Sequence, residues 1–150
     1  MRIAILVFTA LIFFSCDKSK KVTEVTSAES SIQSIVFERD RCRGTCKEFK
    51  LQITSAGILV LEAGVYMPQE GKFGKNIDVK NAAQLFQNIE RCTVDMSNNY
   101  VPNVSDFQGV RLKINKDGQT RVIEGMNNVP QCYVEIIRTL DSLSVSSNWK

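Results

Sequence analysis

The feature that most constrains this chain is a set of four cysteines, Cys42, Cys46, Cys92 and Cys132, in a sequence that contains no histidine. Without histidine the chain cannot build a serine–histidine–aspartate triad, a cysteine–histidine pair or a histidine-ligated zinc site. Paired cysteines then serve as structural disulfides, as a thiol redox pair or as a four-cysteine zinc site. Disulfides persist in oxidising compartments, whereas free thiols and zinc sites are more common in reducing ones. The N-terminal sequence, which can direct export, therefore helps to decide between these uses.

The first fifteen residues predict a lipoprotein signal peptide. Arg2 is followed by an apolar run from Ile3 to Phe14, and Ser15 precedes a fifth cysteine, Cys16. A helix of about twelve residues, with a rise of about 1.5 Å each, is too short to cross a hydrocarbon core of about 30 Å. A small residue directly before a cysteine resembles a bacterial lipobox, in which the cysteine is lipidated. Ordinary signal cleavage and an uncleaved anchor are the alternatives.

Behind this leader, residues 16–31 are polar and mixed in charge, which is typical of a flexible tether. We therefore expect lipid on Cys16 to hold the protein to a membrane in the cell envelope of a Gram-negative bacterium. Residues 32–150 remain for one folded domain. The formal net charge of the chain, +3, indicates no nucleic-acid partner.

In an oxidising compartment the four remaining cysteines are most often two disulfides. Three pairings are possible, and we favour Cys42 with Cys46 and Cys92 with Cys132. The chain-entropy model gives about 2 kcal/mol for the five-residue ring and about 4 kcal/mol for the loop of about 41 residues. A zinc site normally uses two close pairs, and a thioredoxin-like site has two residues between its cysteines where this chain has three. Both remain alternatives.

Alternation of apolar and polar residues predicts five β-strands. They lie in two groups, each containing a hairpin with a glycine turn, at residues 34–38, 49–54, 58–63, 110–115 and 120–125. The face that carries Glu48, Lys50, Gln52, Arg111 and Lys113 is predicted to be solvated or to serve as a contact surface.

Apolar residues at helical spacing predict two helices. Asp78 is a favourable N-cap for a first helix that ends near Cys92. Asn128 is predicted to be the N-cap of a second helix, with Pro130 at an early helical position and Cys132 in the first turn. We expect an α+β fold, with an antiparallel β-sheet of about five strands and two helices packed on one face. Antiparallel packing of these helices would bring Cys92 and Cys132 together.

The cysteine loop resembles an uncharacterised family of secreted and lipid-anchored bacterial proteins, a domain of unknown function. Its pattern is an arginine, a few residues, then Cys-x-Gly-x-Cys-Pro-x-Tyr leading into a strand and a glycine turn. Five positions of this chain fit the pattern: Arg39, Cys42, Gly44, Cys46 and Gly57. Lys47 and Phe49 stand where proline and tyrosine are usual. The resemblance implies an extracytoplasmic α+β domain and brings no activity, substrate or catalytic residue.

We expect a non-enzymatic lipoprotein domain that recognises an envelope component or an extracellular partner, with no metal and no cofactor. The candidate contact residues are four basic side chains that would attract anionic groups: Arg39, Arg41, Arg43 and Lys47. The alternative is a thiol–disulfide redox protein that uses Cys42 and Cys46, whose basic neighbours would lower a thiolate pKa. A third hypothesis is a carboxylate-based hydrolase, drawing on Asp95, Asp106 or Glu124.

Overall fold

The structure is a computed structural model, and it describes residues 30–102 and 107–150. The predictions for the leader, for lipid on Cys16, for most of the tether and for Asp106 lie outside the described residues. The secondary structure elements are β1 (Ile32–Arg39), β2 (Phe49–Thr54), β3 (Ile58–Ala63), β4 (Gly71–Asn76), α1 (Val79–Thr93), β5 (Asn99–Tyr100), β6 (Val110–Lys116), β7 (Gln119–Gly125) and α2 (Gln131–Val145). No helix among the described residues is both long enough and apolar enough to span a membrane.

All strands of the described residues form one sheet, in the order β4-β3-β2-β1-β6-β7-β5. Neighbouring strands are antiparallel except β5, which pairs parallel with β7. The expected α+β class and two helices are therefore confirmed, while the sheet has seven strands rather than about five.

The two additional strands lack the pattern on which strand prediction depends. In β4, with the sequence GKFGKN, Phe73 is the single apolar side chain, so there is no alternation to detect. The strand forms because its backbone pairs with β3, where Leu61 lies opposite Phe73. The other addition, β5, is only two residues long and pairs Asn99 with Glu124 of β7.

The hairpin turns lie where the sequence places them. Gly57, between β2 and β3, has a φ of 78°, and Gly118, between β6 and β7, has a φ of 75°. Glycine takes this left-handed conformation without the steric cost that a Cβ atom imposes. At Gly57 a Cβ would also collide with the backbone carbonyl of Ile77, whereas around Gly118 nothing lies within 4 Å of the Cβ position.

The N-cap of the first helix is confirmed and that of the second is corrected. Asp78 caps α1, since its carboxylate accepts a hydrogen bond of 2.7 Å from the backbone N–H of Lys80. α2 begins at Gln131, with Pro130 as its N-cap residue, so the prediction that Asn128 is the N-cap was wrong. Asn128 has a φ of 55° and lies in the turn before the helix. Asparagine tolerates this conformation better than most residues.

The core lies between the two helices and one face of the sheet. It contains strand residues that include Ile35, Phe37 and Leu51, and helix residues that include Phe86 and Ile137. The rings of Phe37 and Phe49 pack edge to face with their centroids 5.5 Å apart. The opposite face of the sheet, called the open face below, carries no helix among the described residues.

A short backbone contact covers the outer edge of β4, and the segment that contains β5 covers part of β7. At the β4 edge, the N–H of Gly74 donates to the carbonyl of Lys150 at 2.9 Å, and the N–H of Lys150 donates back at 3.4 Å. At the other edge, the N–H of Glu124 in β7 donates to the carbonyl of Asn98 at 2.9 Å, next to β5. The outer edge of β4 is therefore interrupted at Gly74, and the other outer strand, β5, is only two residues long.

β1 runs between opposite ends of the domain. The tether joins the domain just before Ile32, and the cysteine loop, residues 40–48, follows Arg39 at the other end of the strand. Eight residues of β-strand span about 26 Å. The segments at residues 64–70 and 107–109 lie at the same end as the cysteine loop, and we call this the loop end.

Candidate functional site

Three segments meet at the loop end and hold the cysteine loop in place. The side chain of Gln108 donates hydrogen bonds to the carbonyls of Asp40 and Lys47, at 3.1 and 2.7 Å. On the other side, the N–H of Glu48 donates to the carbonyl of Val65 at 3.1 Å. The loop is therefore fixed at both of its ends by neighbouring chain segments.

The four cysteines of the domain lie in two pairs at disulfide distance. Cys42 and Cys46, with Cα atoms 5.7 Å apart, close the cysteine loop. Cys92 and Cys132, with Cα atoms 5.9 Å apart, join the last turn of α1 to the first turn of α2. Within residues 30–102 and 107–150, no three His, Cys, Asp or Glu side chains group as metal ligands would.

Arg39, the first of the four basic residues that were predicted to contact a partner, is held in an ion pair, and it lines one surface cavity with Lys47 and another with Arg41. Its Nε and Nη2 atoms donate to the two carboxylate oxygens of Asp141 in α2, at 3.0 and 2.5 Å. The guanidinium carbon also lies 5.5 Å from the centre of the Phe37 ring. With 18% of its side chain exposed, Arg39 joins the sheet to α2.

The other three basic residues lie together on the exposed cysteine loop. Arg41 forms an ion pair of 3.2 Å with Glu48, which also belongs to the loop. Arg43 and Lys47 are exposed. Arg41, Arg43 and Lys47 are therefore all exposed residues of the loop that the Cys42–Cys46 pair closes.

Two exposed aromatic residues flank the cysteine loop, and neither was predicted from the sequence. Tyr66 follows Val65, which accepts a hydrogen bond from the loop, and Phe107 precedes Gln108, which donates to it. Each is 52% exposed. Tyr66 also has a φ of 64°, which is an outlier for a bulky side chain and costs about 1–3 kcal/mol. Neither exposure nor a positive φ has a reliable signature in a single sequence.

The open face next to the loop end carries a row of alternating charges. Across six neighbouring strands, the paired positions are occupied by Lys72, Glu62, Lys50, Glu38, Arg111 and Glu124. Arg111 donates to Glu38 at 2.9 Å and to Glu124 at 2.8 Å. Opposite charges on adjacent strands stabilise the sheet, and here they also cancel most of the charge of this face.

Glu38 lies at the centre of this row. Burial by itself would raise the pKa of Glu38, but hydrogen bonds from Lys113 and Arg111 outweigh that cost and hold the pKa below its ordinary value of 4.5. The Nζ atom of Lys113 lies 2.9 Å from the carboxylate. Glu38 is therefore ionised at neutral pH.

The residues of the hydrolase hypothesis lie in separate parts of the chain. Glu124 is on the open face and pairs with Arg111. Asp95 is exposed just beyond the end of α1. No grouping of these carboxylates emerges from the part of the chain that the structure describes.

A comparison with protein families decides where this chain belongs. Residues 33–144 match the family described as a domain of unknown function, DUF6438. The chain belongs to this family. No curated protein and no solved structure matches it. The DUF6438 domain runs from β1 into the last turn of α2, so it includes both cysteine pairs, Tyr66 and Phe107. The lipid anchor and the cysteine signature stay predictions.

Proposed function

We propose that this DUF6438 protein is a non-enzymatic interaction domain, held in the cell envelope by lipid on Cys16, that binds an envelope or extracellular protein through its loop end. The observation that carries the proposal is Tyr66. A large aromatic side chain is half exposed there, in a backbone conformation that suits glycine or asparagine better.

Burial of the Tyr66 ring does not offset the free-energy cost of its strained backbone, because half of the side chain faces solvent. Strained residues cluster at binding and catalytic sites, where the surrounding structure holds them in place. Aromatic residues and arginine are also the residues most enriched at protein–protein hot spots. Tyr66, Phe107 and Arg41 give the loop end this composition.

The loop end also meets the requirement that a binding surface be ordered before binding. The Cys42–Cys46 ring and the hydrogen bonds from Gln108 restrict the cysteine loop. A restricted loop loses less conformational entropy when a partner binds, which improves affinity. Arg41, Arg43 and Lys47 would add attraction for an acidic partner, which weakens as salt is added.

The position of the tether also favours the loop end as the binding surface. The tether joins the domain at the opposite end of β1 from the cysteine loop. If lipid on Cys16 holds the tether to a membrane, the loop end is the part of the domain that is free to face away from that membrane. A tether of about fifteen residues reaches at most about 50 Å, which leaves this end accessible.

The test uses the full-length protein in its native membrane, with a photo-crosslinking amino acid at Tyr66 or at Phe107. Gln52 on the open face and Thr120 at the tether end are the control positions, since both are exposed. We expect discrete protein adducts from positions 66 and 107 only, and fewer of them at high salt. No adducts, or equal adducts from all four positions, would overturn the proposal. The mass of the N-terminal peptide, with Cys16→Ser as control, tests lipidation separately.

One observation favours thiol–disulfide chemistry as a second candidate function. The backbone N–H of Gly44 donates to the Sγ atom of Cys42 at 3.2 Å. Such a donor would stabilise a thiolate on Cys42 if the pair were reduced. A redox protein would reduce a disulfide substrate catalytically and lose this activity in Cys42→Ser. If the pre-reduced protein does not reduce a disulfide substrate catalytically, the redox function is excluded. That result would not affect the proposal of an interaction domain.

A further inference from the structure

Residues 146–150, called the strap below, lie along the outer edge of β4. The N–H and the carbonyl of Gly74 both pair with Lys150, and two residues that exchange both bonds are a hydrogen-bonded pair of antiparallel strands. The strap therefore extends the sheet beyond β4. Alternate residues of a strand send their backbone groups to the same side, so those of Lys72 and Asn76 also face this edge. In the described part of the chain, the backbone hydrogen bonds between the strap and β4 are the two at Gly74.

The indole ring of Trp149 packs between the strap and the core. Its Nε1–H donates to the carbonyl of Ser144 at 3.0 Å, and the ammonium of Lys75 lies 4.1 Å from the ring centre. Lys75 also donates to the hydroxyl of Ser146 and, at 3.4 Å, to the carbonyl of Leu143. The site therefore provides both a hydrogen-bond acceptor and a cation for an aromatic ring at this position.

The strap does not fill the whole of its site. A cavity of about 240 Å³ lies between Trp149 and the sheet. Its other apolar lining comes from the sheet and from the segment after Tyr66, namely Leu61, Phe73, Met67 and Pro68. A chain segment that carried a further apolar side chain into this cavity would gain dispersion contacts that the strap lacks.

We propose that the β4 edge and this cavity bind an extended peptide segment with an aromatic residue, and that the strap occupies the site until such a segment displaces it. The strap itself shows the chemistry of the occupant, since it pairs with β4 and places an aromatic ring against Lys75 and Ser144. Addition of a strand to a sheet edge, with a side-chain pocket for specificity, is a common mode of peptide recognition. The site requires neither lipid on Cys16 nor the ring of Tyr66, so it does not depend on the proposed function.

An extended peptide can pair with more of β4 than the strap does. It would form two hydrogen bonds at each of Lys72, Gly74 and Asn76, whereas the strap forms them at Gly74 alone. The strap is joined to α2, however, which gives it an effective concentration on the order of 1 mM at the site. A peptide binds only if it outcompetes the strap, so the strap sets the affinity that a partner must exceed.

The first test measures the binding of a fluorescein-labelled peptide with the sequence of residues 145–150, VSSNWK, to the full-length protein by fluorescence anisotropy. We expect Trp149→Ala to bind this peptide at least about tenfold more tightly than the parent does, because the strap of the variant lacks its aromatic anchor. A labelled peptide with alanine in place of the tryptophan should not bind. Equal binding to the parent and to Trp149→Ala, or binding to neither at about 1 mM peptide, would overturn the proposal.

Two further variants locate the bound peptide. Gly74→Pro, added to Trp149→Ala, removes the N–H that faces the outer edge and should abolish binding of the peptide. Proline is tolerated on an edge strand, so the sheet should still form. Gln52→Ala, added to Trp149→Ala, is the matched control on the open face and should bind as Trp149→Ala does. Unchanged binding in the Gly74→Pro variant would contradict the assignment to the β4 edge.

A last measurement uses the parent protein and does not depend on the folding of any variant. Trp149 is the single tryptophan of the chain, so its fluorescence reports directly on the strap. A peptide with tyrosine in place of tryptophan, VSSNYK, should shift the emission of Trp149 to longer wavelength at saturation and make it easier to quench with acrylamide. Saturable binding that leaves the emission of Trp149 unchanged would show that the strap is not displaced, which refutes the proposal.

Discussion

Arg39 and Asp141 join the end of β1 to the C-terminal part of α2 through two parallel hydrogen bonds, at 3.0 and 2.5 Å. The two residues are 102 positions apart in sequence. A bidentate guanidinium–carboxylate pair fixes orientation as well as distance. It therefore sets where α2 lies relative to the strand that leads into the cysteine loop.

Arg39→Ala should lower the free energy of unfolding by about 1–3 kcal/mol, because it leaves a partly buried carboxylate without its main donor. Urea denaturation of Arg39→Ala, Asp141→Ala and the double variant measures this. We expect a coupling free energy between the two residues of about 1 kcal/mol or more. Additive single effects would mean that the pair contributes no net stability.

Glu38 should make stability depend on pH in the acid range. Its pKa is lower in the folded state, so its contribution is complete above the ordinary carboxyl value of 4.5 and is lost as the pH falls through the folded value. Glu38→Gln should cost about 1–2 kcal/mol at neutral pH and flatten the acid decline of the unfolding free energy. A carboxyl titration by NMR that shows a raised pKa would contradict this.

The two cysteine pairs should differ in their effect on stability. Cys92 and Cys132 are 40 positions apart and Cys42 and Cys46 only four. The chain-entropy model predicts a loss of about 4 kcal/mol on removing the distant pair and about 2 kcal/mol on removing the near one. Double alanine variants in chemical denaturation measure both losses. Non-reducing peptide mapping of the parent should first show these two pairings, and any other pairing would refute them.

Alanine substitutions at Gly57 and Gly118 should distinguish the cost of backbone strain from the cost of steric collision. Both have a positive φ, but only at Gly57 would a Cβ collide with a neighbouring segment. Gly118→Ala should cost about 1 kcal/mol, which is the strain alone. Gly57→Ala should cost clearly more, because the chain before α1 must also move. Equal losses in thermal or urea denaturation would show that the β2–β3 turn adapts freely.

Tyr66→Asn should stabilise the fold and abolish the proposed interaction. Asparagine tolerates a φ of 64° better than tyrosine does, which should raise the free energy of unfolding by about 0.5–1 kcal/mol. The crosslinks from position 107 should be lost in the same variant. Tyr66→Phe keeps the ring and should change neither quantity by much. A destabilised Tyr66→Asn would show that the ring supports the fold itself.

The helices and strands that were predicted from the sequence are those that bury one face and expose the other. β2, with Phe49, Leu51 and Ile53 buried, and α1, with Phe86 and Ile89 buried, follow from periodicity alone. β4 escaped prediction because backbone pairing with β3 forms it, while its side chains carry no pattern. The periodicity of apolar residues indicates which face of an element is buried. It does not detect an edge strand that has almost no apolar side chains.

The candidate site was predictable only in outline. Charge density pointed to Arg41, Arg43 and Lys47, but charge alone could not reveal that Arg39 pairs with Asp141, a residue far along the chain. Tyr66 and Phe107 became candidates only through their exposure and, for Tyr66, the backbone conformation. These properties arise from tertiary structure, so local sequence patterns do not contain them.

The backbone contact between Gly74 and Lys150 bears on whether copies of the domain can associate edge to edge. A bare outer strand presents unpaired N–H and C=O groups, to which a strand of a second copy can add. The contact occupies the middle of β4, and the charged side chain of Lys72 stands on the same strand. A strand of a second copy could therefore add to β4 only by displacing Lys150 and accommodating Lys72, which disfavours growth of one continuous sheet from copy to copy.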